Sequence, residues 1–66
     1  MEAKASMIIM SHLSDAQELA NMTDDHKLAR RILEEINFAK FILIMCKGDV
    51  NQEIDADEMY KEYKKL

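Results

Sequence analysis

Sixty-six residues with a formal net charge of −4 restrict this chain to one small domain, which removes only roughly 60% of its unfolded surface on folding and so has a marginal core. One cysteine excludes an internal disulfide, and one cysteine with two histidines excludes a closed Cys/His zinc site. Asp49, Glu53, Asp55, Asp57 and Glu58 gather the acidity within residues 49–58 and leave the remainder slightly basic, which argues against the broad basic stripe that sequence-independent nucleic-acid binding needs.

With no proline and a single glycine, Gly48, the chain lacks the turn punctuation of all-β and α/β folds, so the spacing predicts an all-α protein. Ala5, Ile9, Leu13, Ala16 and Ala20, widened by Ile8 and Leu19, recur at helical spacing and predict a first helix over residues 3–22. A strand over 5–10 is the weaker reading, because only Ile8 and Ile9 there are β-branched and apolar. The run Asn21 to Asp25 breaks the period, and Thr23 or Asp24 is placed to cap a second helix over residues 25–46. The main stripe of that helix is Leu28, Ala29, Ile32, Leu33, Ile36, Ala39, Leu43 and Cys46, and Lys47 with Gly48 supplies a left-handed stop. An acidic loop follows over 47–54. Asp55, with Glu58 three residues on, starts a third helix over 55–65 that aligns Met59, Tyr60, Tyr63 and Leu66.

The second helix is amphipathic at first, with Arg30, Arg31, Glu34 and Glu35 opposite its stripe, but from residue 38 the far side also turns apolar through Phe38, Phe41, Ile42 and Met45. Met7 and Met10 lie outside the stripe of the first helix at the matching height of an antiparallel hairpin. A helix apolar all round must be covered all round. Two covers are conceivable: the third helix folding back, or a second copy of the chain. The marginal core favours the second copy, with Met7, Met10, Phe38, Phe41, Ile42, Met45, Met59, Tyr60 and Tyr63 as the interface.

Chemistry-bearing motifs are few. His12 falls in the first stripe with Asp15 three residues on, which reads as a packed histidine bonded to Asp15 or a neighbour; no second His or Glu-x-x-His pair supports a bundle metal site. His26 reads as a solvated first-turn residue. Cys46 ends the apolar run from Phe41, a setting that makes a thiol inert. There is no Gly-rich phosphate loop and no Gly-x-Ser-x-Gly elbow, and Glu34/Glu35 are expected on an exposed face. That same run is far shorter than the ~20 residues a membrane span needs.

Two resemblances are partial. With Ile54 at the central apolar position, Asp49, Asn51, Asp55 and Glu58 fall where the later part of an EF-hand calcium loop holds its ligands, and the segment resembles that loop; Lys47 then stands at its first position and Gln52 at its glycine. Gln17-Glu18-Leu19-Ala20 followed by Leu28-Ala29-Arg30-Arg31-Ile32 resembles a helix-turn-helix, but Asp24 replaces the turn glycine and Asp25 the apolar residue after it.

The sequence thus predicts an antiparallel helical hairpin with a short C-terminal third helix, dimerising into a helical bundle. It is expected to be a cytoplasmic structural or protein-interaction module whose partner is itself or another protein, with no catalytic residue, cofactor, metal, nucleic acid or membrane. The alternative is a small DNA-associated regulator displaying Lys27, Arg30 and Arg31 together.

Overall fold

The computed structural model describes residues 2–22 and 26–66. The order of elements is β1 (Glu2–Lys4), α1 (Ala5–Met22), α2 (His26–Met45), β2 (Glu53–Asp55) and α3 (Ala56–Lys64). The three helices make the protein mostly helical, as the spacing predicts, and residues 5–10 are helix. The expected hairpin turn, with Thr23 and Asp24 as caps, lies outside the described residues, as do the side chains of His26 and Lys27.

Two short strands correct the all-α expectation. β1 and β2 pair antiparallel, with Glu2 opposite Asp55, Ala3 opposite Ile54 and Lys4 opposite Glu53. Residues 3–4 are therefore strand rather than the start of a helix, 53–54 are strand rather than loop, and Asp55 ends the strand where the third helix is expected to begin. Ile54 points inward and is buried while Glu53 is exposed, so even this short segment alternates as a half-buried strand should.

The strand pair also solves the start of α1, which has no acidic residue in its first turn. The first amides of a helix have no partner within it. Here the loop before β2 supplies acceptors: the Ala5 amide donates to the Gln52 carbonyl and the Ser6 amide to the Val50 carbonyl, both at 2.8 Å. The loop is itself ordered by Asp49, whose Oδ1 accepts from the Asn51 amide at 3.2 Å.

At the same end of the hairpin, α2 stops in a Schellman turn. The Gly48 amide donates to the Leu43 carbonyl at 3.1 Å and the Lys47 amide to the Ile44 carbonyl at 3.0 Å, which is the bond pair of that motif. The residue that turns left-handed first is Lys47, at φ 53°, followed by Gly48 at φ 81°. The expected stop is thus in place, with a lysine in the position glycine usually takes. Asp55 caps α3 as expected, its side chain accepting from the Asp57 and Glu58 amides at 3.0 and 3.4 Å.

The core sits at the end of the hairpin away from the turn and joins Ala5, Ile8, Phe38, Ile42, Cys46 and Ile54. Ala3, Ile9, Phe41, Ala56, Met59 and Tyr63 pack around it. The buried face of α2 is rotated from the expected stripe: Ala29, Leu33 and Leu43 are exposed, and Phe38 and Ile42 take the inner positions. On α1 the inward residues are Ala5, Ile8 and Ala16, with Ile9, His12 and Leu19 half-buried, whereas Leu13 and Ala20 face outward.

Gly48→Ala should cost about 1 kcal/mol in urea unfolding, because Ala is strained at positive φ; an added Cβ meets nothing within 4 Å, so the loss is one of backbone conformation alone. Lys47→Gly should shift stability the other way, by about 0.5–1 kcal/mol, as the left-handed penalty is relieved against the extra entropy of glycine. Desolvation pushes the Asp55 carboxyl up, but donation from the Glu58 and Asp57 amides helps bring it below its ordinary 3.8. Its stabilising contribution is therefore complete above that ordinary value and is lost as pH falls through the lowered one. Asp55→Asn, which keeps a capping oxygen, should flatten this acid limb when stability is compared between about pH 2 and 6.

Candidate functional site

The helix α3 lies over the apolar end of α2. Phe38 sits at the centre of an aromatic cluster, edge-on to Tyr60 at a centroid distance of 5.2 Å and 87°, tilted against Tyr63 at 5.4 Å, and edge-on to the His12 ring at 4.8 Å and 88°. Phe41 meets Tyr63 at 5.4 Å. These are the separations at which ring quadrupoles attract. Lys64 closes the outer edge over the Tyr60 ring at 5.2 Å, and Tyr60 first, then Glu34, holds its ammonium above the ordinary lysine range.

This arrangement divides the nine residues expected to form one surface. Ile42 is 0% exposed and Phe38 3%, covered by β2, α1 and α3 of the same chain, so their burial needs no second copy. Phe41, Met59 and Tyr63 are half-buried around the same core. Met45 is 50% exposed and borders, with Met59 and Ile54, a shallow groove rimmed by Glu2, Glu53, Glu58 and Glu62. Tyr60 is exposed beside a cleft of about 450 Å³ lined by His12, Phe38, Ala56, Asp57 and Lys61. Met7 and Met10 are exposed on the outer side of α1. Within the single chain, α3 and the strand pair fill the centre of this set.

A different apolar face remains open. At about 100° per residue, Ala29, Leu33, Ile36 and Leu43 lie about 140–180° round α2 from Phe38, turned away from α3. Leu13 and Met10 lie about 100° and 160° round α1 from His12, which faces the α3 side. Because the two helices run antiparallel, these flanks fall on the same side of the hairpin. There Leu13 is 40% exposed, Leu33 58% and Leu43 43%, and Ala20 and Ala29 are exposed between them. The signal for this face was in the expected stripes, whose outward members are these residues.

The third feature is polar. Glu35, expected on an exposed face, is half-buried and accepts from or pairs with His12, its Oε2 lying 2.5 Å from the His12 Nδ1. Asp15, one turn beyond His12 on α1, brings a second carboxylate, and one ligand-capable atom from each of the three residues lies within 4.8 Å of the others. Among the described residues this is the one group of His, Cys, Asp and Glu close enough to share an ion; in the acidic segment the Asp49 carboxylate accepts from the Asn51 amide and the Asp55 carboxylate from the Asp57 and Glu58 amides. Cys46 is buried. Comparison of the chain with protein-family models, with curated proteins and with solved structures returns no match.

A double-mutant cycle on Phe41→Leu and Tyr63→Leu should give a coupling of about 0.5–1.5 kcal/mol in thermal or urea unfolding. Additive losses would mean that α3 does not pack on this part of α2.

Proposed function

We propose that this chain is a self-associating structural or protein-interaction module, and that it pairs through the open face of the α1/α2 hairpin. The observation that carries the reading is the one-sidedness of the hairpin layer: α3 and the strands use one face, while Leu13, Leu33 and Leu43 stand exposed on the other. A helix pair buries its apolar faces against a further layer, and no other segment among the described residues reaches this one.

The dimensions suit a second copy. Helices of 18 and 20 residues are about 27 and 30 Å long, and side by side they are about 20 Å across. Such a face offers about 500–600 Å² per chain, so two copies bury about 1,000–1,200 Å², near the lower end for a specific interface. Face-to-face pairing of two hairpins gives a four-helix bundle with α3 on each outer side. No helix of the described residues is long and apolar enough to cross a membrane, and a buried free thiol at Cys46 agrees with a reducing setting such as the cytoplasm. The DNA-regulator alternative gains less support: a helix-turn-helix sets its helices at about 90–120°, whereas here α1 and α2 face each other along their length, from Ile8 and Ile42 to Leu19 and Arg31.

The test compares Leu43→Glu with Met45→Glu. The two side chains are similarly exposed in the single chain, at 43% and 50%, but they point to opposite sides of α2. Light scattering at micromolar concentration should give twice the 7.7 kDa chain mass for the parent and for Met45→Glu, and one chain mass for Leu43→Glu. A parent that runs as a monomer overturns the reading, and a salt-dependent shift of duplex DNA would favour the regulator.

A further inference from the structure

We infer that His12, Asp15 and Glu35 form a binding site for one divalent transition-metal ion, with zinc the ion best matched to the donors. All three ligands come from one chain, so this site does not depend on self-association.

The geometry follows from two helices and one register. His12 and Asp15 are three residues apart on α1, the spacing that stacks two side chains on one helical face. Glu35 comes from α2, directly across the hairpin, and its carboxylate already meets the His12 ring. The His12 ring is held from one side by the edge-to-face contact with Phe38, which fixes the plane in which its nitrogen lone pair lies. Around a tetrahedral zinc with bonds of about 2.0–2.1 Å, ligand atoms stand about 3.4 Å apart. The present separations, from 2.5 Å between His12 and Glu35 up to 4.8 Å, bracket that spacing. Small rotations of Asp15 and Glu35 within their staggered wells would equalise them.

The donor chemistry narrows the ion. One imidazole with two carboxylates favours zinc and its neighbours over magnesium or calcium, which prefer oxygen alone. His12 and Glu35 are each 27% exposed, so water reaches the group but does not fully hydrate it. Two carboxylates in that setting repel one another, and a dication between them removes the repulsion. Arg31 lines the same groove as Asp15, Glu18 and Glu35, one positive charge against three carboxylates, and a dication would balance that formal excess. Three protein ligands leave the fourth tetrahedral position to water, and the open groove of about 220 Å³ that Asp15 and Glu35 line provides room for it. A hydrogen bond between His12 and Glu35 explains those two residues without a metal; it gives Asp15 nothing to do, and Asp15 makes no hydrogen bond or ion pair among the described residues.

The experiment is calorimetric titration of zinc chloride into the untagged full chain after removal of metals with a chelator, at neutral pH. One zinc per chain is expected, and the same titration with magnesium chloride should show no saturable heat. Loss of even an outer-shell partner weakens metal sites about 10–100-fold, so Asp15→Asn and Glu35→Gln should each weaken zinc by at least about tenfold. Glu18→Gln, on the same groove, should leave it unchanged. Because Glu35 also bonds His12, its variant can fold less well; Asp15 is exposed, and Asp15→Asn should keep the parent's helical circular dichroism while losing affinity. Absence of saturable zinc uptake, or uptake unaltered by Asp15→Asn, would overturn the proposal.

Discussion

The pairing of Ala3 with Ile54 holds the rest of the molecule in place. Three residues from each of two distant segments form the ladder, and its effects extend well beyond its length. It carries Ile54 into the core against Ile42 and Cys46, brings the Val50 and Gln52 carbonyls over the first amides of α1, and sets the direction in which α3 leaves. A two-stranded ribbon is marginal by itself. Here each strand runs straight into a helix, so the ribbon is stabilised by the helices it positions, and they by it.

The helices were legible from composition and spacing because Ala, Leu, Met, Glu, Lys and Arg dominate and nothing interrupts them. The Asp55 cap and the stop at residues 47–48 were legible because each is a local chemical device. The strands were not, since three residues carry too little periodicity to register and their stabilisation comes from a partner some fifty positions away. The inner face of α2 is ambiguous in the sequence for a related reason: from residue 38 the helix is apolar on opposite sides, so the wheel alone does not say whether Phe38 and Ile42 or Leu33 and Leu43 point inward. Tertiary packing of α3 decided it, through the rings of Phe38, Tyr60 and Tyr63.

The candidate sites divide along the same line. Two of the three residues of the polar group are visible in the sequence, as His12 and Asp15 at one helical turn, while Glu35 has the spacing of a surface charge and is placed opposite them only by the register of the hairpin. Of the aromatic residues Phe38 is interior, Phe41 and Tyr63 are half-buried and Tyr60 is exposed, and on the opposite face the aliphatic residues of the expected stripes, Leu13, Leu33 and Leu43, stand outside. The one cover that this chain supplies completes one face of its hairpin and leaves Leu13, Leu33 and Leu43 exposed on the other. The polar group lies on the completed side, beside the cleft at Tyr60 and Lys61, so occupation of one face need not obstruct the other.

The acceptors for the Ala5 and Ser6 amides are the carbonyls of Gln52 and Val50, and this fixes the order in which the molecule can be finished. On a ribosome, residues 2–6 emerge long before residues 50–55, so the first helix begins life with an uncapped end and an unpaired strand. Helical segments can form early from local bonds, but closing so long a loop carries an entropic cost before its contacts repay it. The start of α1 and the loop that caps it therefore mature together, and residues 50–52 complete a helix that begins some fifty positions before them.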